Sequence, residues 1–165
     1  FLNIGKGSAL GIPIPIWILA IVCGIAAIVL NYTTFGRYVY AFGGNRDATK
    51  LSGINTKLVE MFTYVIMGLL AGIVGIILAA RISSGQPTAG EGYELDAIAA
   101  VAIGGTSMTG GVGQLSGTIL GFIIIGIISN ALTLLNVSSF YQQIVKGFII
   151  LIAVLLDMRT KRNSN

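Results

Sequence analysis

Residues 58–80 read LVEMFTYVIMGLLAGIVGIILAA, an apolar run in which Glu60 is the single charged side chain. A helix of about 20 apolar residues is long enough to cross the hydrocarbon core of a bilayer. The whole chain shares this character, because 55% of its 165 residues are hydrophobic and 10% are charged. Soluble domains carry about 25% charged residues. The sequence therefore predicts an all-α integral membrane protein.

Outward from this run, the sequence predicts further spans on both sides. Full spans are expected at residues 12–30, 114–135 and 137–156, in addition to residues 58–80. A fifth segment, residues 94–113, is apolar at first and then rich in glycine. We interpret residues 1–165 as one partial transmembrane domain, a polytopic helical bundle of four full spans and one discontinuous helix.

Basic side chains concentrate in the segment 31–57 and in the tail 157–165, and such clusters mark the cytoplasmic side of a membrane protein. We therefore expect both segments, and the C-terminus, to be cytoplasmic. The opposite side holds mainly Lys6 and Arg81. The clustered basic residues are Arg37, Arg46, Lys50, Lys57, Arg159, Lys161 and Arg162.

This orientation requires residues 94–113 to run inward if residues 114–135 run outward. The expected helical part, residues 95–103, covers only about 14 Å at 1.5 Å per residue, under half of a hydrocarbon core of about 30 Å. The remaining GGTSMTGG must then cross as irregular backbone, which is tolerated where protein or a water-filled cavity supplies hydrogen bonds. Two interpretations stay open: a break needed only for tight packing, or a solute path lined by Gly104, Gly105, Thr106 and Ser107.

Lys146 and Asn130 are the polar residues of the last two predicted spans that we consider for a specific role. Lys146 is the one ionisable residue well inside a span; such a lysine pairs with another group, extends to the interface or takes part in transport. Asn130 is expected to join helices by hydrogen bonding. Lys146 and Asn130 are both further candidates for the solute path.

The stretch GGNRDATKLSGIN, residues 43–55, predicts a two-turn helix between two spans. Asn45 is a favourable N-cap, Asp47 lies in the first turn, and Gly53 suits the position just past the helix end. A helix this short is unstable alone in water. It is expected either to rest on lipid headgroups or to dock into a cytoplasmic partner.

Several classes of function lack the residues they need. The chain has no histidine and a single cysteine, Cys23, which argues against a metal site or a hydrolytic triad. The phosphate-binding motif GxxxxGK[ST] is absent, and the basic residues form no single patch for nucleic acid. We expect no catalytic residue, no metal and no cofactor in this chain, and hence no enzyme activity of its own.

Four stretches together resemble the permease subunits of ABC-type monosaccharide importers, the ribose-permease family. They are IPIPIWI, FGRYVYAFGGNRDATKLSGIN, GQPTAGEGYELDAIAAVAIGGTSMTGGVG and VSSFYQQIVKGFIILIAVLLD. The resemblance covers nearly the whole chain but only about the C-terminal half of a family member. It implies that the short helix is the coupling helix that seats on the ATPase. The residues carried over are Asn45, Arg46, Asp47, Ala48, Lys50, Leu51, Ser52, Gly53 and Ile54.

The resemblance also implies the setting of the protein. It predicts a multi-pass subunit of a bacterial inner membrane, acting as a dimer within lipid and importing a monosaccharide by alternating access. ATP and Mg²⁺ would be bound by a separate ABC ATPase subunit, and a periplasmic sugar-binding protein would deliver the solute. Alternatives are the same transporter type for autoinducer-2 or another small polar solute, or a channel or ion-coupled transporter.

Overall fold

The computed structural model of the chain describes Gly5 and residues 7–162. Residues 7–162 contain a two-stranded antiparallel pair and seven helices. The chain divides into two compact units, Phe1–Gly90 and Glu91–Asn165. The elements are β1 (Ser8–Ala9), β2 (Ile12–Pro13), α1 (Ile14–Tyr32), α2 (Thr34–Gly44), α3 (Arg46–Leu51), α4 (Thr56–Ile82), α5 (Tyr93–Ile103), α6 (Leu115–Leu134) and α7 (Ser139–Arg162).

Four of these helices, α1, α4, α6 and α7, are long and apolar enough to cross a membrane. Most of their side chains are exposed on the surface of the chain. Exposed apolar helices suit a lipid solvent, in which close burial of every apolar face is unnecessary. The predicted fold class, a helical membrane protein with four full spans and a shorter interrupted helix, is confirmed.

In the first unit, α1 follows a small hairpin. Ser8 pairs with Pro13 and Ala9 with Ile12, and the turn between them holds Leu10 and Gly11 at φ of 55° and 79°. The indole Nε1 of Trp17, one turn into α1, donates to the Ala9 carbonyl over 3.3 Å. The first predicted span thus begins two residues late, because Ile12 and Pro13 belong to the hairpin.

Helix α2 is the main element that the sequence analysis did not anticipate, since residues 31–57 were expected to form one short helix within a loop. Thr33 starts α2 by accepting a hydrogen bond from the Gly36 N–H at 3.3 Å. Gly36 is buried, and a side chain there would collide with the Val29 and Leu30 carbonyls. A cap and a close approach of two helices therefore fix a segment whose composition alone does not favour a helix.

In the second unit, α5 packs against both α6 and α7. Ala99, Ala100 and Ile125 form its buried core, with Ile103, Ile149 and Ile150 packed around them. Helix α7 continues to Arg162, so much of the predicted tail 157–165 extends the last helix. Residues 163–165 lie outside the described part of the chain.

Candidate functional site

Helix α3 begins and ends at the residues that the capping pattern predicts. The Asn45 side chain accepts a hydrogen bond from the Ala48 N–H at 2.9 Å, while its own N–H donates to the Ala41 carbonyl at 3.0 Å and so closes α2. Gly53, at φ of 83°, follows the C-cap Ser52. A single asparagine thus joins two helices at a fixed angle, and glycine permits the left-handed turn that leads to α4.

Contacts with the neighbouring helices hold α3 in place. Thr49 is buried and its hydroxyl donates to the Asn45 carbonyl at 2.7 Å. The Arg46 guanidinium forms an ion pair with Glu60 of α4 at 2.7 Å and lies 5.3 Å from the centroid of the Phe42 ring. These contacts provide the support that a six-residue helix lacks in isolation.

The opposite face of α3 is open. Leu51 is 89% exposed, and Ala48, one turn earlier on the same face, is also exposed. Asp47 and Lys50 flank them and are exposed as well. The helix thus presents one exposed apolar side chain beside exposed charged ones.

Behind the turn from α3 to α4 lies a cavity of about 440 Å³. Ile54 is half-buried at its wall, and Phe35 of α2 contacts Phe62 of α4 edge-on, with ring centroids 6.5 Å apart. Asn55 caps α4, since its side chain accepts a hydrogen bond from the Leu58 N–H at 3.3 Å. The residues that line the cavity belong to α2, to the turn and to α4.

In the second unit, α5 stops where the glycines begin. Gly105, Gly110 and Gly111 have φ of 77°, 87° and 79°, in the left-handed region that glycine adopts readily. The backbone of the break bonds to itself, since the Ser107 N–H donates to the Val112 carbonyl at 2.9 Å and the Gly110 N–H to the Ser107 carbonyl at 3.1 Å. Irregular backbone within a membrane needs such internal partners.

Two of the predicted path residues make specific contacts with other side chains. Ser107 is 7% exposed, and its hydroxyl donates to the Asp157 carboxylate at 2.9 Å and lies 3.0 Å from the Thr109 hydroxyl. Lys146 Nζ lies 2.6 Å from Asp96 Oδ1. That oxygen is buried and accepts no hydrogen bond of regular geometry in the described part of the chain. The contact is therefore an ion pair held by charge.

The remaining path candidates are arranged differently. Gly104 packs so closely on α6 that a side chain on it would collide with the Gly117 carbonyl group. Gly105 is exposed and Thr106 half-buried beside it. Asn130 is exposed on α6, and no polar contact is resolved for its side chain among the described residues. Its predicted helix-joining role stays a prediction.

Contacts within the second unit give the directions of its helices. Gly121 of α6 faces Ala100 of α5, and Gly117 faces Gly104, so α5 and α6 are antiparallel. Asp96 meets Lys146 and Ser107 meets Asp157, so the broken segment and α7 run in the same direction. These are the relative directions that the parity of the spans requires.

The broken segment also travels a substantial distance along α7. Lys146 and Asp157 are eleven residues apart, which is about 16 Å along a helix axis. Asp157 follows the last apolar run of α7, five residues before the helix ends at Arg162. The segment thus runs beside α7 from Lys146 to Asp157.

Two residues of these sites, Glu60 and Asp157, were not assigned roles from the sequence. Each is an acidic residue inside or at the edge of a helix that otherwise crosses apolar surroundings. Acidic residues in such places generally pair with another group. Their positions were a usable signal, but the identity of the partner was not available from the local pattern.

Comparisons with known proteins found a matching family and several similar proteins. The family described as "Branched-chain amino acid transport system / permease component" matches residues 2–154. The chain is 54% identical over 157 residues to the ribose import permease protein RbsC of Haemophilus influenzae, covering 95% of the chain and 49% of that protein. It is 56% identical over 153 residues to RbsC of Escherichia coli K12, covering 93% and 48%.

A more distant relative carries a different sugar in its name. The xylose transport system permease protein XylH of Haemophilus influenzae is 46% identical over 152 residues, covering 92% of the chain and 40% of that protein. The chain spans about half the length of the curated ribose permeases that it matches. No solved structure matches it.

Proposed function

The chain belongs to the family of the branched-chain amino acid transport system permease component, and on this premise we propose that it is part of the membrane permease of an ATP-driven ribose importer. The observation that carries the proposal is the identity of 54% and 56% to two ribose import permeases over nearly the whole chain. Identity to the xylose relative is lower, at 46%, which favours ribose over xylose.

For the coupling role we propose α3, in keeping with the implied coupling helix. Its open face offers Leu51 and Ala48 to a partner, while the Arg46–Glu60 ion pair joins the helix to α4. A rigid, exposed lever joined directly to a span suits the transfer of movement from an ATPase subunit. Transient docking surfaces commonly place one apolar anchor inside a polar rim.

For the solute path we propose the break after α5. Gly104 and Gly105 would supply backbone groups and Thr106 a hydroxyl group to hydrogen-bond the solute. Asn130 on α6 is a further candidate. A neutral sugar requires many hydrogen-bonding groups and no unpaired charge. Ser107 and Lys146 have protein partners, so they support the wall of such a path more readily than they bind the solute. Asp96 is likewise paired with Lys146, which weighs against an ion-coupled transporter that uses it.

The further partners follow the same premise. We propose that two permease copies act together in lipid, that α3 and the end of α7 face the cytoplasm of a bacterial cell, and that a binding protein delivers ribose from the periplasmic side. ATP and Mg²⁺ would bind to the separate ATPase subunit. The chain itself would perform no chemical step.

The proposal is tested by sugar uptake. The full-length permease that carries this chain is expressed with its ATPase and binding protein in a bacterial strain without ribose uptake. Labelled ribose should accumulate, unlabelled xylose in tenfold excess should compete weakly, and a variant of the ATPase that cannot hydrolyse ATP should abolish uptake. Uptake that ignores the ATPase variant would favour a channel, and preferential uptake of xylose would overturn the choice of ribose.

A further inference from the structure

Two polar contacts tie the broken segment to α7, one at each end of it. The Asp96–Lys146 ion pair joins the first turn of α5 to α7, and the Ser107–Asp157 hydrogen bond joins the glycine-rich break to the same helix further along. The residues of each contact are fifty positions apart in sequence. We call these contacts the charged clasp and the hydroxyl clasp.

The backbone between the two clasps is tied to α5. The Gly105 N–H donates to the Ala102 carbonyl and the Thr106 N–H donates to the Val101 carbonyl, both at 3.2 Å. Ser107, the next residue, therefore follows the position of α5 along α7. A slip of α5 by one helical turn, about 5.4 Å, would then separate both pairs.

The closest apolar packing of α5 is with α6, where Ala100 lies against Gly121, and small residues let two helices approach this closely. On the α7 side, Ile149 and Ile150 pack with Ile103 around the core. The two clasps add polar contacts at defined positions along α7.

The charged clasp has the properties required to fix the position of α5 along α7. Lys146 is 12% exposed and Asp96 24% exposed, and Lys146 lies seven residues from the start of α7, within the apolar helix. Charges at such depth require a partner. Among the described residues, each is the other's single ion-pair partner, so the pair defines one favourable register and penalises every other.

We propose that Asp96 and Lys146 are positioning residues that set the register of the broken segment on α7, and thereby bring Ser107 to Asp157. This inference goes beyond the proposed function, because it holds whatever solute crosses and whether or not ATP is bound. It assigns to the charged clasp an effect at the far end of the segment, about 16 Å away along the helix.

The test uses disulfide formation at the hydroxyl clasp. In the full-length permease with Cys23→Ser, the pair Ser107→Cys and Asp157→Cys is oxidised in native membranes, without solute or ATP, and the rate of cross-linking is measured. This background is then combined with Asp96→Asn, with Asp96→Asn plus Lys146→Met, and with the exchanged pair Asp96→Lys plus Lys146→Asp. Glu94→Gln, which removes an exposed acidic residue two positions earlier, is the matched control.

We expect fast cross-linking in the starting background, in the control and in the exchanged pair, and cross-linking about tenfold slower in Asp96→Asn and in the doubly neutral variant. The doubly neutral variant separates positioning from the mere penalty of an unpaired charge, since it has no unpaired charge. If it cross-links at the starting rate, the proposal is wrong. Should Asp96→Asn fail to fold, the exchanged and doubly neutral pairs still decide, and equal rates in those two overturn the inference.

Discussion

Asn45 shows how much a single residue can determine at the centre of this protein. Its N–H ends α2 and its side chain begins α3, so the angle between the two helices depends on one side chain. The Asn55 side chain likewise caps the start of α4. The capping role of Asn45 is predictable from sequence, because a cap is a local interaction within four residues.

Asp96–Lys146 and Ser107–Asp157 could not be predicted in the same way. A local pattern shows that a charge or hydroxyl lies in an apolar segment, but the choice of partner depends on how two helices align across fifty residues. From the sequence alone, three roles are accordingly open for Lys146: pairing with another group, extension to the membrane interface, and transport. For Ser107 the sequence analysis proposed a place in the solute path, whereas the structure gives its hydroxyl a carboxylate partner.

Removal of the Ser107 hydroxyl is expected to destabilise the second unit. In Ser107→Ala the partly buried Asp157 carboxylate loses a hydrogen bond, which costs about 2 kcal/mol for a charged acceptor. The measurement is the free energy of unfolding of the purified permease in mixed micelles. Ser116→Ala, at an exposed position of α6, is the control and should change little. An equal effect of the two substitutions would contradict the assigned role of Ser107.

At the scale of elements, the long helices were predictable and α2 was not. Apolar runs of about 20 residues determine a spanning helix by composition, which is why α1, α4 and α6 lie within two residues of their predicted positions at each end. Helix α2 is short, contains three glycines and depends on contacts with α1 and α4. Within the first unit, Phe35 of α2 packs against Phe62 of α4.

The close packing of α5 on α6 can be tested with two glycines of the same helix. Gly121 is buried, and a methyl group there would collide with the Ala100 carbonyl, whereas nothing lies within 4 Å of one at Gly126. Gly121→Ala should therefore destabilise the permease by about 1–3 kcal/mol through overpacking. Gly126→Ala should be neutral or stabilising by up to about 1 kcal/mol. Unfolding in mixed micelles measures both, and the reverse order would refute the described contact.

At the scale of the whole molecule, the distribution of basic residues predicts which ends of the spans face the cytoplasm. The structure adds relative directions within the second unit, where α5 and α7 run together and α6 runs against them. Absolute orientation remains a proposal based on charge. It matters for function, because α3 can meet an ATPase subunit only from the cytoplasmic side.

Orientation is tested by labelling single cysteines in intact cells with an impermeant thiol reagent, in the Cys23→Ser background. Asp47→Cys reports on α3 and Thr88→Cys on the segment after α4; both positions are exposed. Thr49, two residues after Asp47 in α3, is buried, so a cysteine there would react poorly with the reagent. Only Thr88→Cys should react until the cells are permeabilised. Labelling of Asp47→Cys in intact cells would invert the proposed topology.

The central proposal is that α3 conveys ATP hydrolysis to the spans, and Leu51 is its most exposed apolar side chain. In liposomes that contain the full-length permease with its ATPase, ribose and the binding protein should stimulate ATP hydrolysis. Leu51→Asp should reduce that stimulation about tenfold or more, as expected for loss of an apolar anchor at an interface, while Leu51→Met should retain it. Stimulation in Leu51→Asp equal to that of the unchanged protein would contradict the proposal.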